Sequence, residues 1–261
     1  MTDFYKKESP FQGITGLAGG ATGLRMAGTS AYYSNDFDGS SELTLPWSNG
    51  NLDFPSYGNI TIEFWVYLDT LNNDNKSYQT MVGRWHGSNG YCWLIDTNKN
   101  DGDINLYIGN ASGSYVASTH APDGTLSAGQ WYHIAVVKNG SGSSASKIYV
   151  DGTSVHSFTW NHGNTNSSTD VQVGNNNTSY GSALDGKISN FRFTHGVVYS
   201  SNFTPPTAPF EGNEGGNVML LMCKDKDPTI AEVNVSAPGG SSGNTITNNG
   251  GVTSSTENPF V

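Results

Sequence analysis

Positive charge is scarce in this sequence. Twelve Lys and Arg stand against 22 Asp and Glu in 261 residues, for a formal net charge of -10. No Lys/Arg cluster could track a phosphate backbone, which excludes nucleic-acid binding. Cysteine is nearly absent, and Cys92 and Cys223 lie far apart with no CxxC or Cys/His spacing nearby. They read as reduced, buried thiols, with a disulfide as the alternative. No run of about 18 apolar residues could span a bilayer, and the start, MTDFYKKESP, lacks the apolar stretch of a secretion signal. The chain is therefore expected to be made in a cytosol and to have no membrane partner. His86, His120, His133, His156, His162 and His195 show no HExxH-like spacing, and no Gly-x-Ser-x-Gly elbow occurs, so zinc and nucleophilic chemistry find no support. There is no internal repeat with a period of about 20 to 50 residues, which argues against a propeller or solenoid.

What the sequence does have is glycine, 33 in all, with many Ser, Thr and Asn and only 13% charged residues. Good helix formers are few, while Val, Ile, Tyr, Phe and Trp recur in short runs, so the class is all-β. Residues 1–30 stand apart: a short aromatic and charged start leads into the glycine-rich GITGLAGGATGLRMAG, which has neither strand nor helix periodicity. This stretch reads as an extended N-terminal docking arm, with Phe4, Tyr5, Phe11, Leu17 and Leu24 as anchors.

From residue 31 to 261, strand-length runs alternate with Gly, Asn, Asp and Pro clusters, the pattern of one two-sheet antiparallel jelly-roll sandwich. In ITIEFWVYLD, Ile62, Phe64, Val66 and Leu68 share one face, and Glu63, Trp65 and Tyr67 the other. The run Trp131 to Lys138 is apolar on both faces, which requires cover on both sides. YCWLID and INLYIG predict a hairpin turning at Asp101 and Gly102, and KIYVDG predicts a strand ending in a tight Asp-Gly turn. VQVG and KISNFRF follow. The prolines of NFTPPTAPF exclude central strand pairing. VMLLMC, residues 218–223, predicts a buried strand, and TITNNGGVTSSTENPF one weak edge strand.

Four stretches, FDGSSELTLP, ITIEFWVYLD, GQWYHIAVVKNG with KIYVDG, and LDGKISNFRF, together resemble the laminin-G-like, concanavalin A-like jelly-roll family over residues 36–210. That resemblance implies that the Trp131 strand is central in one sheet, with the core on one side and a concavity or another protein on the other. A narrower resemblance covers ISNFRFTHGVVYSSNFTPPTAPFEG, VMLLMC, TITNNGGVTSSTENPF and the arm SPFQGITGLAGGATGLRMAG. These are similar to virion structural proteins of tailed bacteriophages. The implication is a virion component present in many copies, docked by its arm on the major capsid protein or another virion protein as a decoration protein or head fibre. The alternative is a tail or fibre adhesin that binds host surface glycans.

Some members of this fold are glucanases, which need two carboxylates at a fixed separation. Their E-x-D-x-x-E strand signature is missing here, since residue 65 is Trp where a second acid would stand near Glu63, so no catalytic residue is assigned and the chain is read as a non-enzyme. Asp96, Asn98, Asn100 and Asp101 superficially suggest a calcium loop, but Asp101 takes the place of the required glycine and Tyr107 that of the closing glutamate. Asp36, Asp38 and Asp185 could converge from separate strands. Calcium is thus a candidate structural ion with no ligands assigned, and no other cofactor is implied. His133, inside an apolar strand, reads as a hydrogen-bonded core residue. GRWHGSNGY and FTWNHGNTNSS supply aromatic rings beside polar side chains, the pairing that sugars favour, and so nominate Trp85, Tyr91 and Trp160 as glycan platforms. Each of the three could instead cover one end of the sandwich.

Overall fold

The alternation in ITIEFWVYLD places Ile62, Phe64, Val66 and Leu68 on one face of a nine-residue strand, and all four are fully buried in the core. The structure is a computed structural model that describes residues 32–46, 58–71, 77–86, 90–98, 100–110, 114–162, 169–176, 181–213, 217–234 and 244–260. The N-terminal docking arm, with Phe4, Tyr5, Phe11, Leu17 and Leu24, lies outside the described residues.

Two sheets face each other, with strands numbered in chain order. Sheet A runs β10 (Thr153–Phe158), β9 (Ser146–Val150), β8 (Trp131–Lys138), β3 (Ile60–Leu68), β13 (Asp185–His195), β1 (Ser34–Asp38) and β17 (Thr253–Ser255). β14 (Asn217–Met222) also pairs with β13, and β15 (Ala231–Asn234) pairs with β14. Sheet B runs β16 (Thr247–Asn249), β2 (Glu42–Leu45), β11 (Val171–Val173), β4 (Tyr78–His86), β5 (Gly90–Asn98), β6 (Asn105–Gly109) and β7 (Tyr115–His120), with the short β12 (Gly181–Ser182) beside β4. Every pairing is antiparallel except β12 with β4. Among the described residues there is no helix. The fold is an all-β, two-sheet jelly-roll sandwich whose core lies between the sheets and joins residues such as Phe37, Ile134, Trp93 and Phe193.

The turn chemistry explains several joints. Asp151 and Gly152 both take positive φ, 46° and 74°, as the tight hairpin between β9 and β10 requires. Asp151 has a second use, because its Oδ1 accepts the His133 backbone N–H at 2.8 Å. Gly152 sits where a methyl group would overlap the Phe203 carbonyl, and its own carbonyl accepts the Phe203 N–H at 2.9 Å. The turn therefore also pins a segment some fifty residues downstream.

The C-terminal stretch differs from the single edge strand that its alternation predicts. It forms two short strands: β16 closes the edge of sheet B against β2, and β17 closes the edge of sheet A against β1. Gly250 and Gly251, both with positive φ, let the chain cross from one sheet to the other. Cys92 and Cys223 are both buried and are not joined in a disulfide. Burial pushes the Cys223 thiol well above its ordinary range.

Candidate functional site

In a sheet, directly paired residues point to the same side, so the register of each sheet sorts its outward positions into rows. In sheet A these rows are Arg192, Glu63, Ala135 and Tyr149, then Trp65 and His133, then Lys187, Tyr67 and Trp131. Glu63, His133, Ala135 and Tyr149 are fully buried although they face away from the sandwich core. What covers them is the chain's own exit segment. Val197, Tyr199 and Phe203 pack on Ala135, Val137 and Tyr149, while Phe210 joins Trp65, Val218 and Leu221. This corrects the expectation that the Trp131 strand turns its far side to a concavity or another protein.

The segment is held by a buried charge network. Arg192 grips Glu63 through Nε at 2.9 Å and Nη2 at 2.8 Å, and the Tyr199 hydroxyl donates to the other carboxylate oxygen at 2.9 Å. His133 Nε2 lies 3.3 Å from that same oxygen, close enough for a charge contact but not aligned as a hydrogen bond. His133 is buried as expected, but its ring meets Glu63 through a charge contact and not through the expected hydrogen bond. Burial opposes ionisation of Glu63, but His133 and Arg192 outweigh it and hold the carboxyl below its ordinary range. The Arg192 guanidinium lies over the Phe210 ring at 4.3 Å. Asn190, at φ 55° beside a bulge in β13, accepts the Phe210 N–H at 2.9 Å. Asn tolerates this left-handed conformation better than most residues.

Sheet B turns a different face outward. Its rows are Thr80, Asp96, Asn105 and His120, then Gly83, Leu94, Tyr107 and Ser118, then Trp85 and Tyr91, with Tyr115 opposite Gly109 at the far end. Trp85 and Tyr91 stack with centroids 4.4 Å apart, and Trp85 also meets Tyr107 at 5.8 Å and Tyr115 at 6.1 Å. Tyr78 meets Tyr107 at 6.4 Å. Tyr78, Tyr91 and Tyr107 are half-buried and Tyr115 is 50% exposed, so this face keeps aromatic surface in contact with solvent. Gly109 permits the arrangement, because a methyl group there would overlap the Tyr91 carbonyl.

Of the three nominated glycan platforms, the structure brings Trp85 and Tyr91 together. Trp85 is only 8% exposed and serves mainly as the base on which Tyr91 lies. Trp160 is elsewhere: it is fully buried in the core beside Phe158, so it presents no ring face to a ligand. Its polar neighbours in sequence signalled a surface loop, whereas its own apolar area was drawn inside. Tyr78, Tyr107 and Tyr115 were missed. Their signal was faint, being alternate aromatic positions on three separate strands that only the register unites.

Beneath the rings lies Asp96, 2% exposed. Burial raises its carboxyl well above the ordinary range, against a hydrogen bond with Asn105 and with the Asp103 charge adding to the rise. Asp96 therefore sits in β5, where burial favours its protonated form, and not in a calcium loop. Burial also raises Tyr107, with Asp96 and Tyr78 adding to the shift.

Two carboxylate groups could attract a cation. Asp36, Asp38 and Asp185 do gather with Asp69 and Glu257. Lys187 already supplies the positive charge there, 3.1 Å from Asp69 and 3.5 Å from Glu257. At the tip of β6 and β7, the donor atoms of Asp103, His120 and Asp123 lie within 4.8 Å of one another. Asp103 Oδ1 is fixed by the Asn98 N–H and the Asn105 amide, at 2.9 and 3.1 Å. An imidazole with two carboxylates suits a first-row transition ion better than calcium, which prefers an all-oxygen shell.

Solved structures similar to this chain share its fold at low identity. One is a protein assigned as carbohydrate-binding from Bacteroides ovatus, with a TM-score of 0.61 and 14% identity over 86% of this chain. The chain spans 60% of that protein's length. Another is a heptameric SAP-like pentraxin from Limulus polyphemus, with a TM-score of 0.53 and 13% identity over 84% of this chain and 95% of the other. No curated protein matches the sequence. A family model, Laminin_G_3 of the concanavalin A-like lectin/glucanases superfamily, matches residues 37–201, and the chain belongs to that family.

Proposed function

We propose that this chain is a non-enzymatic carbohydrate-binding module that takes glycans on the aromatic face of sheet B. The observation that carries the reading is the cluster of five rings, Tyr78, Trp85, Tyr91, Tyr107 and Tyr115, on an outer face that stays in contact with water. Sugars offer apolar ring faces to such surfaces and polar edges to neighbours such as Asn105 and Ser118. The non-enzymatic part rests on Glu63. It is fully buried, clamped by Arg192 and covered by Tyr199, so it has no path to a glycosidic bond, and position 65 holds Trp in place of a second acid. A glycan array probed with the wild-type chain and with Tyr91→Ala tests the reading. Binding by the wild type that is lost in the variant, with unchanged unfolding, supports it; equal binding by both counts against it.

A second reading concerns where the module works. The stretches similar to virion proteins, 188–212, 218–223 and 245–260, include most of the layer that closes the outer face of sheet A, together with both closing edge strands. This supports a phage virion structural component, a capsid decoration protein or head fibre attached through residues 1–30 to the major capsid protein or another virion protein. Removing residues 1–30 should leave the sandwich folded and abolish incorporation into particles. Particles that carry the truncated chain at normal occupancy would refute it.

A further inference from the structure

Resting on the glycan-binding reading above, we propose that the ligand is an uncharged, extended oligosaccharide lying across β4 to β7, and neither a single terminal sugar nor an acidic glycan. The first support is extent. The rings are spread over four adjacent strands, with Tyr78 and Trp85 on β4, Tyr91 on β5, Tyr107 on β6 and Tyr115 on β7. Three inter-strand gaps of about 4.8 Å make a strip roughly 14 Å across, wider than any one sugar ring. Successive ring contacts of 4.4, 5.8 and 6.4 Å lead from Tyr91 through Trp85 and Tyr107 to Tyr78. A chain of sugars laid over this strip meets a new ring with each added unit.

The second support is charge. Among the outward positions that the register gives for these strands, none is Lys or Arg. Arg84, the basic residue of β4, is fully buried, with its Nε donating to the Thr169 carbonyl at 3.0 Å. The end of the strip carries Asp103 and Asp123 around His120. Among the described residues of this face, a uronate or sialate would meet no Lys or Arg and two carboxylates of its own sign, in a chain whose formal net charge is -10. Like-charge contacts of this kind select against a ligand even where its shape fits. A hydroxyl-bearing neutral sugar has no such cost.

The test presents the full chain with neutral and acidic glycans in matched series from mono- to hexasaccharide. Binding should be confined to the neutral series and should strengthen by roughly tenfold for each added ring contact until the strip is filled. Tyr115→Ala, at the outermost strand, should weaken the longer ligands by a larger factor than the shortest, so that the gain in affinity with length shrinks. Ser118→Lys, an exposed change in the Tyr107 row, should open the strip to acidic glycans. Length-independent affinity, or a wild-type preference for acidic glycans, overturns this inference while leaving glycan binding in place. Failure to bind any glycan of either series overturns both.

Discussion

Glu63 in sheet A and Asp96 in sheet B are the most deeply buried carboxyls among the described residues, and they meet opposite fates. Glu63 in sheet A is surrounded by Arg192, His133 and the Tyr199 hydroxyl and is held ionised. Asp96 in sheet B has the Asn105 amide and Tyr107 nearby, and burial, helped by the Asp103 charge, raises its carboxyl well above the ordinary range. The difference lies in supply: a buried carboxylate is tolerable only where a positive partner is buried with it. Sheet A uses its ion network to fix a covering segment and so becomes closed. Sheet B, without one, keeps rings at the surface and so remains available for recognition.

The comparison can be broken most forcefully at Glu63. Glu63→Ala removes the carboxylate that balances the buried Arg192 charge and should cost about 3–5 kcal/mol in denaturant unfolding. A loss below 1 kcal/mol would mean that the network does not hold the cover. Phe210→Ala, which removes a fully buried ring from beneath the same segment, should follow at roughly 3 kcal/mol, and proteolysis within residues 197–209 should then speed up. On the other face, Gly109→Ala drives a methyl group into the Tyr91 carbonyl and should cost about 1–3 kcal/mol while displacing Tyr91. Glycan affinity should fall with it.

The two carboxyls also give pH trends of opposite sign. Glu63 has a folded value below its ordinary 4.5, so its contribution is present above that pH and is lost as pH falls through the folded value. Asp96 has a folded value above its ordinary 3.8, so its contribution is complete below that pH and is lost as pH rises through the raised one. Asp96→Asn should therefore flatten the decline of stability that sets in above pH 3.8, measured by thermal unfolding, and leave the trend below it unchanged. An unaltered decline would show that Asp96 is not the titrating group. The smallest effect belongs to Tyr115→Ala, half exposed at the rim of the open face, which should shift stability by no more than about 0.5 kcal/mol. Its loss should be read in binding alone.

Much of the fold was legible because its signals are local. The period-two alternation of residues 60–68, the Asp151-Gly152 turn and the buried run of residues 218–222 each depend on neighbours a few residues away. The site was legible only in part. Trp85 and Tyr91 could be nominated from their aromatic-polar surroundings, but the same surroundings misplaced Trp160, whose burial depends on how residues 158–160 pack against the core. Tyr78, Tyr107 and Tyr115 carried no mark of partnership, since residues that meet across strands are scattered in sequence.

By itself, the sequence determined the strands, their inward faces and the family, because side-chain alternation and turn stereochemistry are properties of short segments. Only the tertiary structure decided that the exit segment returns over Glu63, that Lys187 fills the acidic cluster of Asp36 and Asp185, and that the described residues leave the rings of sheet B partly exposed. Those outcomes depend on the register of strands far apart in the chain. A shift of one residue in that register would turn each of these side chains to the other side of its sheet.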